Sequence, residues 1–176
     1  MTRTAGQKWM VFFAAMFFVT WIASVEHKIG TKVGNKAPDL IGKSVDGEIL
    51  KLSDTRGKVV LLDFWAAWCG PCRRENPSIV QAYKKYKGKK FSSGKGFTVF
   101  SVSLDQQKQA WEKAIKEDNL HWPYHISDLR GWNSKFAAIY GVRRIPANFL
   151  IDGNGIIIAI HLRGEALEAT LAELVR

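Results

Sequence analysis

The chain has 176 residues, of which 47% are hydrophobic and 24% are charged. This is the composition of an ordinary globular protein with one core. The length is too short for two domains to be expected, and two cysteines are too few for a disulfide-stapled scaffold. The formal net charge is +10, but no nucleic-acid module and no alternation of aromatic residues with lysines accompanies it, so nucleic acid is not expected as a partner.

The N-terminus contains a long uncharged segment. Residues 9–25 (WMVFFAAMFFVTWIASV) carry no charge, and at about 1.5 Å per helical residue they just span a hydrocarbon core. Trp9 and Trp21 lie near its two ends, where aromatic rings favour the membrane interface, and Arg3 and Lys8 precede it as in a signal sequence. The pattern predicts a retained signal anchor; a cleaved signal peptide and a buried core helix are the alternatives.

This anchor divides the chain into three parts. We predict a transmembrane helix within residues 1–26, a linker over 27–36 and a single domain over 37–176. Lysines that follow the anchor weaken the positive-inside signal, yet an N-terminus in the cytoplasm is favoured. The protein is therefore expected to be a single-pass protein of the inner (cytoplasmic) membrane, with its domain on the periplasmic or extracytoplasmic side.

The remaining sequence alternates strand and helix patterns. Residues 59–65 form a nearly unbroken apolar run, which is typical of a central strand covered on both faces. Asp-Gly turns at 46–47 and 152–153 predict hairpins. In chain order the predicted elements are a hairpin within 39–52, a strand over 59–65, a helix over 71–85, a strand over 97–104, a helix over 106–118, a short strand over 124–127, a helix over 134–140, strands over 147–151 and 156–162, and a helix over 165–176. The order predicts an α/β fold: a mixed central sheet flanked by helices, with an N-terminal β-hairpin and a central βα insertion.

Six lysines are concentrated near the end of the first long helix, with no acidic residue between them. They are Lys84, Lys85, Lys87, Lys89, Lys90 and Lys95. We interpret them as a solvated helix end and loop, because cations stabilise a helix C-terminus. A site for anionic lipid headgroups or for an acidic partner is the alternative.

Both cysteines lie in one four-residue window at the start of the predicted helix. A thiol at a helix N-terminus has a lowered pKa, which would make Cys69 the nucleophile, and Cys72 one turn later can resolve a mixed disulfide. A structural disulfide and half of a zinc site are the alternatives. Zinc needs about four ligands, whereas there is no second cysteine pair and the four histidines are scattered. The pattern therefore favours a redox-active disulfide, with no metal and no other cofactor.

Residues 62–77 (LDFWAAWCGPCRRENP) resemble the thioredoxin active site. Segments 33–39 and 52–58, together with 145–152, are similar to the membrane-anchored TlpA/ResA-type branch of the thioredoxin-like family. The resemblance extends over 33–176. It implies a thioredoxin-like fold and thiol-disulfide oxidoreductase activity.

The resemblance also implies residue roles around the disulfide. Cys69 would attack and Cys72 would be the buried resolving thiol. The remaining substrate-binding positions form the rim and floor of the site: Trp68, Gly70, Pro71, Ile145 and Pro146. Pro146 would be a cis proline facing the disulfide, and the backbone of Ile145 would pair with an extended substrate.

Two carboxylates complete the implied site. Asp63 matches a buried aspartate that transfers a proton to or from the resolving cysteine; an exposed strand end is the alternative. Glu75 matches a glutamate of the active-site cavity, and a solvated acid near the helix N-terminus is an equal alternative. Two features depart from the family pattern: Ala147 replaces the usual threonine, and Arg143-Arg144 precede the proline loop.

These observations predict a membrane-tethered protein-disulfide reductase that acts as a monomer. Its partners would be protein thiol or disulfide clients and an upstream membrane electron donor. Apocytochrome thiols (cytochrome c biogenesis), misoxidised envelope proteins and another redox protein all fit as clients. A copper- or haem-delivery chaperone is one alternative, but it calls for a Cys-x-x-x-Cys pair with a dedicated histidine. A thiol peroxidase is another, but its Pro-x-x-x-Thr/Ser-x-x-Cys loop is missing.

Overall fold

A seven-stranded mixed sheet forms the centre of the protein in the computed structural model, which describes residues 27–176. The strands are β1 Ile41–Lys43, β2 Ile49–Lys51, β3 Val59–Trp65, β4 Lys90–Phe91, β5 Gly94–Lys95, β6 Phe97–Ser103, β7 Tyr124–Ser127, β8 Ala147–Ile151 and β9 Ile157–Ile160. The helices are α1 Gly70–Tyr86, α2 Lys108–Glu117, α3 Lys135–Tyr140 and α4 Gly164–Leu174, with short 3-10 turns at Leu52–Thr55 and Gly131–Asn133.

The sheet has the strand order β2-β1-β7-β6-β3-β8-β9, and β4 and β5 form a separate small hairpin. Strand β3 pairs in parallel with β6 and antiparallel with β8, and β6 pairs in parallel with β7. The carboxyl ends of β3, β6 and β7 therefore meet at one edge of the sheet, where β8 begins. In α/β sheets this edge is the usual place for a binding site.

Strand β3 is buried along its whole length because both of its faces are covered. Side chains alternate between faces along a strand. Leu61 and Trp65 contribute to an apolar cluster with the buried side of α1 and with α4, while Leu62 and Phe64 pack in a second cluster with α3 on the opposite face. The side chains of this apolar run therefore pack in two cores, one on each face of the sheet.

The predicted α/β fold is confirmed. A β1–β2 hairpin opens the domain, β3, α1 and β6 form the βαβ unit, and α2 with β7 lies at the place of the predicted central insertion. Helix α3 ends at Gly141, which adopts the left-handed conformation (φ 65°) expected of a glycine that stops a helix. The β4–β5 hairpin was not predicted: it interrupts the lysine-rich segment, which we interpreted as a helix end and loop.

The predicted membrane anchor, residues 1–26, lies outside the described residues. Between residues 27 and 176 no helix combines the length and apolar character needed to cross a membrane. The segment predicted as a linker contacts the folded domain: the Gly34 amide donates to Ile157 O at 2.8 Å, and Ile157 N donates to Asn35 O at 2.9 Å.

Candidate active site

The cysteine pair closes a disulfide across the first turn of α1. Cys69 is the N-cap residue, with an extended backbone, and its Sγ accepts a hydrogen bond from Cys72 N at 3.2 Å. Pro71 fits this turn because a proline at a helix start lacks only a donor that would have no helical partner. Cys69 is 5% exposed and Cys72 is 1% exposed. Cys69 is the outer sulfur and Cys72 is shielded by the helix.

This geometry favours a division of labour between the two thiols after reduction. The free N–H groups and the dipole of the first turn stabilise an anion at the N-cap, so they lower the pKa of a Cys69 thiol. Cys72 lies inside the apolar cluster, where a thiolate is disfavoured. An external disulfide therefore meets the more reactive sulfur first.

The loop that presents Cys69 is held by a buried aspartate. Asp105 is 1% exposed, and its carboxylate accepts hydrogen bonds from Ala67 N at 3.0 and 3.2 Å and from Ser103 Oγ at 2.7 Å. Asp105 follows β6 and Ala67 follows β3, so this contact ties together the carboxyl ends of two parallel strands. Sequence reasoning missed Asp105, since no local pattern distinguishes it from a surface loop residue.

Asp63 is buried under the cysteine-bearing helix. It alternates along β3 with Leu61 and Trp65, so it faces the cluster that contains Cys72, and it is only 3% exposed. This placement excludes the alternative of an exposed strand end. Burial raises the pKa of Asp63 to about 7, an effect that a nearby Arg163 opposes and Glu75 reinforces. The carboxyl can therefore hold or release a proton near neutral pH.

Glu75 connects α1 to the start of α4. Its Oε1 accepts a hydrogen bond from Gly164 N at 2.6 Å, and its side chain is half-buried. Next to it, the Arg163 guanidinium donates to the carbonyl of Leu162 at 2.6 Å and to that of Pro146. Glu75 is thus bound at a helix start beside Asp63, which agrees better with the cavity alternative than with a solvated acid. Sequence reasoning missed Arg163 and Gly164.

The proline loop lies on the β8 side of the disulfide. The Ile145–Pro146 peptide bond is cis, as predicted from the resemblance, and both residues are half-buried. Ala147 follows and pairs with Phe64 of β3, which places the loop beside the end of that strand. Trp68, Gly70 and Pro71 are exposed on the rim of the site. The structure therefore gathers all nine predicted site residues at or beneath one sheet edge, while their individual roles stay predictions.

The alternative function of a copper-delivery chaperone would require a group of metal-binding side chains. Across residues 27–176 no three or more His, Cys, Asp or Glu side chains are grouped so that they could hold a metal ion. His125 is buried, with its ring stacked on that of Trp122 at a centroid distance of 5.4 Å, and burial lowers its pKa to about 4.

Comparisons with known proteins agree with this geometry. Residues 32–175 match the family described as Redoxin. The chain is 30% identical over 145 residues to the thiol-disulfide oxidoreductase ResA of Bacillus thuringiensis subsp. konkukian (strain 97-27), covering 82% of this chain and 78% of the relative. It is 36% identical over 135 residues to the thioredoxin-like protein YneN of Bacillus subtilis (strain 168), covering 77% and 74%.

Solved structures show the same likeness. The thioredoxin domain of a thiol-disulfide oxidoreductase from Bacteroides vulgatus superposes with a TM-score of 0.73 at 34% identity, covering 82% of this chain and 99% of that one. A thiol-disulfide oxidoreductase from Bacteroides fragilis NCTC 9343 gives 0.70 at 35% identity, covering 79% and 98%. The resemblance drawn from the cysteine segment is confirmed.

Proposed function

Because this chain belongs to the Redoxin family and is a thiol-disulfide oxidoreductase of the TlpA/ResA type, we propose that it works as a membrane-tethered reductase of protein disulfides outside the cytoplasm. The observation that carries the proposal is the cysteine pair itself: an outer Cys69 at a helix N-cap, a buried Cys72, and Gly-Pro between them.

In the proposed reaction the reduced enzyme transfers two electrons to its client. The Cys69 thiolate attacks one sulfur of the client disulfide, forms a mixed disulfide and releases the other client sulfur as a thiolate. The Cys72 thiolate then attacks Cys69 Sγ, which closes the enzyme disulfide and releases the second client thiolate. The client gains two electrons and two protons, and a dithiol donor restores the enzyme by the reverse sequence.

Proton transfer at Cys72 is the step that we assign to Asp63. Cys72 must lose its proton before it attacks, and at 1% exposure it is shielded from bulk solvent. Asp63 faces the same cluster with a pKa of about 7, so its ionised form can accept that proton and its neutral form can return it. Glu75 and Arg163 act through the charge around Asp63, since Glu75 raises the Asp63 pKa and Arg163 lowers it.

The reducing direction follows from how little the Cys69 thiolate is stabilised. Strong oxidants of this class stabilise the reduced form, with a nucleophile pKa of about 3.5. No histidine lies between the cysteines here. Two arginines follow on the helix. The Arg73 guanidinium is bound by Asp118 (Nη2–Oδ1 2.7 Å) and by Glu117 (3.1 Å), which compensate its charge. The Arg74 side chain is exposed, so solvent screens its charge.

The redox potential tests the direction. The purified chain would be equilibrated with dithiothreitol or glutathione buffers, and the fraction of free Cys69 thiol would be measured by alkylation. We expect a potential close to that of thioredoxin, about −270 mV. A potential more positive than about −180 mV would make the protein an oxidase or isomerase and would contradict the proposal.

The membrane tether and the location need a separate test. Their support is the uncharged segment 9–25 with its preceding cations. Protease added to spheroplasts should digest the domain and leave a fragment in the membrane. Full protection of the domain, or a soluble domain that lacks the N-terminal segment, would contradict the anchored, extracytoplasmic assignment.

A further inference from the structure

Two tryptophans lie side by side on the surface next to the disulfide. Trp68 is 55% exposed and Trp132 is 51% exposed, and their ring centroids are 6.1 Å apart. Tryptophan side chains are large and apolar, and neighbouring exposed aromatic rings commonly mark a binding surface. Trp68 directly precedes Cys69, so the pair borders the sulfur that a client must reach.

The topology explains why residues so far apart in sequence meet here. Trp68 follows β3, and Trp132 lies in the 3-10 turn that follows β7. Gln106, from the loop after β6, lines the same shallow cavity. These three parallel strands end at one sheet edge, and the Pro146 loop lies on the other side of the disulfide, next to β3. A client that pairs with the Ile145 backbone and reaches Cys69 comes next to the tryptophan pair.

The Trp132 turn is held in a defined position. The Asp128 carboxylate accepts hydrogen bonds from Lys135 N at 2.9 Å and Arg130 N at 3.3 Å, which closes the loop from β7 to α3. Gly131 adopts a left-handed backbone (φ 55°) and lies against the Gln106 side chain, where a Cβ would come within 3.1 Å. Trp132 is thus exposed on a fixed turn, and little ordering is needed for binding.

We propose that Trp68 and Trp132 form a subsite for an apolar side chain, preferably aromatic, that lies near the exchanging cysteine of a protein client. The proposal rests on the proposed function and specifies its substrate class: flexible polypeptides whose reactive cysteine has an aromatic neighbour in sequence. Two exposed indole rings favour such a side chain. Arg130 on the same rim disfavours a basic neighbour.

Peptide substrates would test this subsite. The full chain in detergent, reduced with dithiothreitol and desalted, would react with peptides that carry one cysteine as a mixed disulfide with glutathione. Phenylalanine would replace alanine at each position on either side of that cysteine in turn. We expect at least one position to increase the second-order rate constant by about threefold to tenfold, the range that an aromatic contact provides.

Variants distinguish the subsite from a general surface effect. Trp132→Ala should abolish the preference for phenylalanine, and Trp132→Phe should keep most of it. Ile49→Ala is the matched control, because Ile49 is 57% exposed on the edge strand β2 and its loss should leave the preference unchanged. Circular dichroism would verify that each variant is folded.

Two outcomes would overturn the inference. If the wild-type chain reduces every peptide at one rate, or if Trp132→Ala keeps the preference, the tryptophan pair is not a subsite, and the reductase function stands. If the reduced wild-type chain reduces none of the peptides, the proposed function itself fails and the subsite fails with it.

Discussion

Replacing Asp63 by asparagine should stabilise the protein, and increasingly so as the pH rises. Burial raises the pKa of Asp63 from 3.8 to about 7. In the unfolded chain the carboxyl ionises near 3.8, so between that pH and about 7 the folded state holds a proton that the unfolded state has lost. Stability then falls as pH rises, by about 1.4 kcal/mol per pH unit. Over about three units the destabilisation reaches at most about 4 kcal/mol, and it is constant above the folded pKa.

Urea unfolding of the oxidised protein between about pH 4 and about pH 8 would measure this difference. The free energy of unfolding of Asp63→Asn minus that of the wild type should increase across this range, whereas Asp46→Asn, which removes an exposed carboxylate, should show no such increase. A pH-independent difference for Asp63→Asn would refute the reasoning. Glu75→Gln should lower the pH at which the stability difference levels off, because Glu75 raises the Asp63 pKa. Arg163→Gln should raise that pH, because Arg163 lowers the Asp63 pKa.

Three further predictions concern other parts of the domain. In the reduced protein Cys69 should react with iodoacetamide much faster than Cys72, as followed by mass spectrometry; equal rates would contradict the division of labour. Arg73→Ala should lower the free energy of unfolding by about 1–3 kcal/mol, because Glu117 and Asp118 at the end of α2 would lose their charged hydrogen-bond donor. Gly153→Ala should cost about 2 kcal/mol, because a Cβ would overlap a backbone carbonyl of the β4–β5 segment, whereas Gly88→Ala, with open space around it, should not; urea unfolding decides both.

Local patterns predicted the fold well where the local sequence determines the structure. Residues 59–65 form a central strand because an uninterrupted apolar run must be covered on both faces, and α3 begins at the Ser134 cap and ends at Gly141. The β4–β5 hairpin was missed since its strands are two residues long and depend on backbone packing at Gly94, where a Cβ would overlap the Gly57 carbonyl. No pattern within a short lysine-rich segment reports such a distant contact.

The same limit applies to the candidate site. The contiguous cysteine segment predicted Cys69, Cys72 and Asp63, all of which lie together at or beneath one edge. Asp105 and Arg163 were missed because each acts through a partner that is distant in sequence: Ala67 is 38 residues before Asp105, and Pro146 is 17 residues before Arg163. Such residues become recognisable only when the strand order is known.

The strand order also separates the parts of the site that do chemistry from the part that we propose selects clients. The disulfide, Asp63 and the Pro146 loop belong to β3, α1 and β8, which are adjacent in the fold. Trp132 lies in the turn that follows β7, which reaches the same edge from the other side of β6. A substitution at Trp132 therefore changes a surface beside Cys69 while leaving the hydrogen bonds of Asp105 and Glu75 in place. We expect the choice of client to vary independently of the cysteine chemistry in this fold.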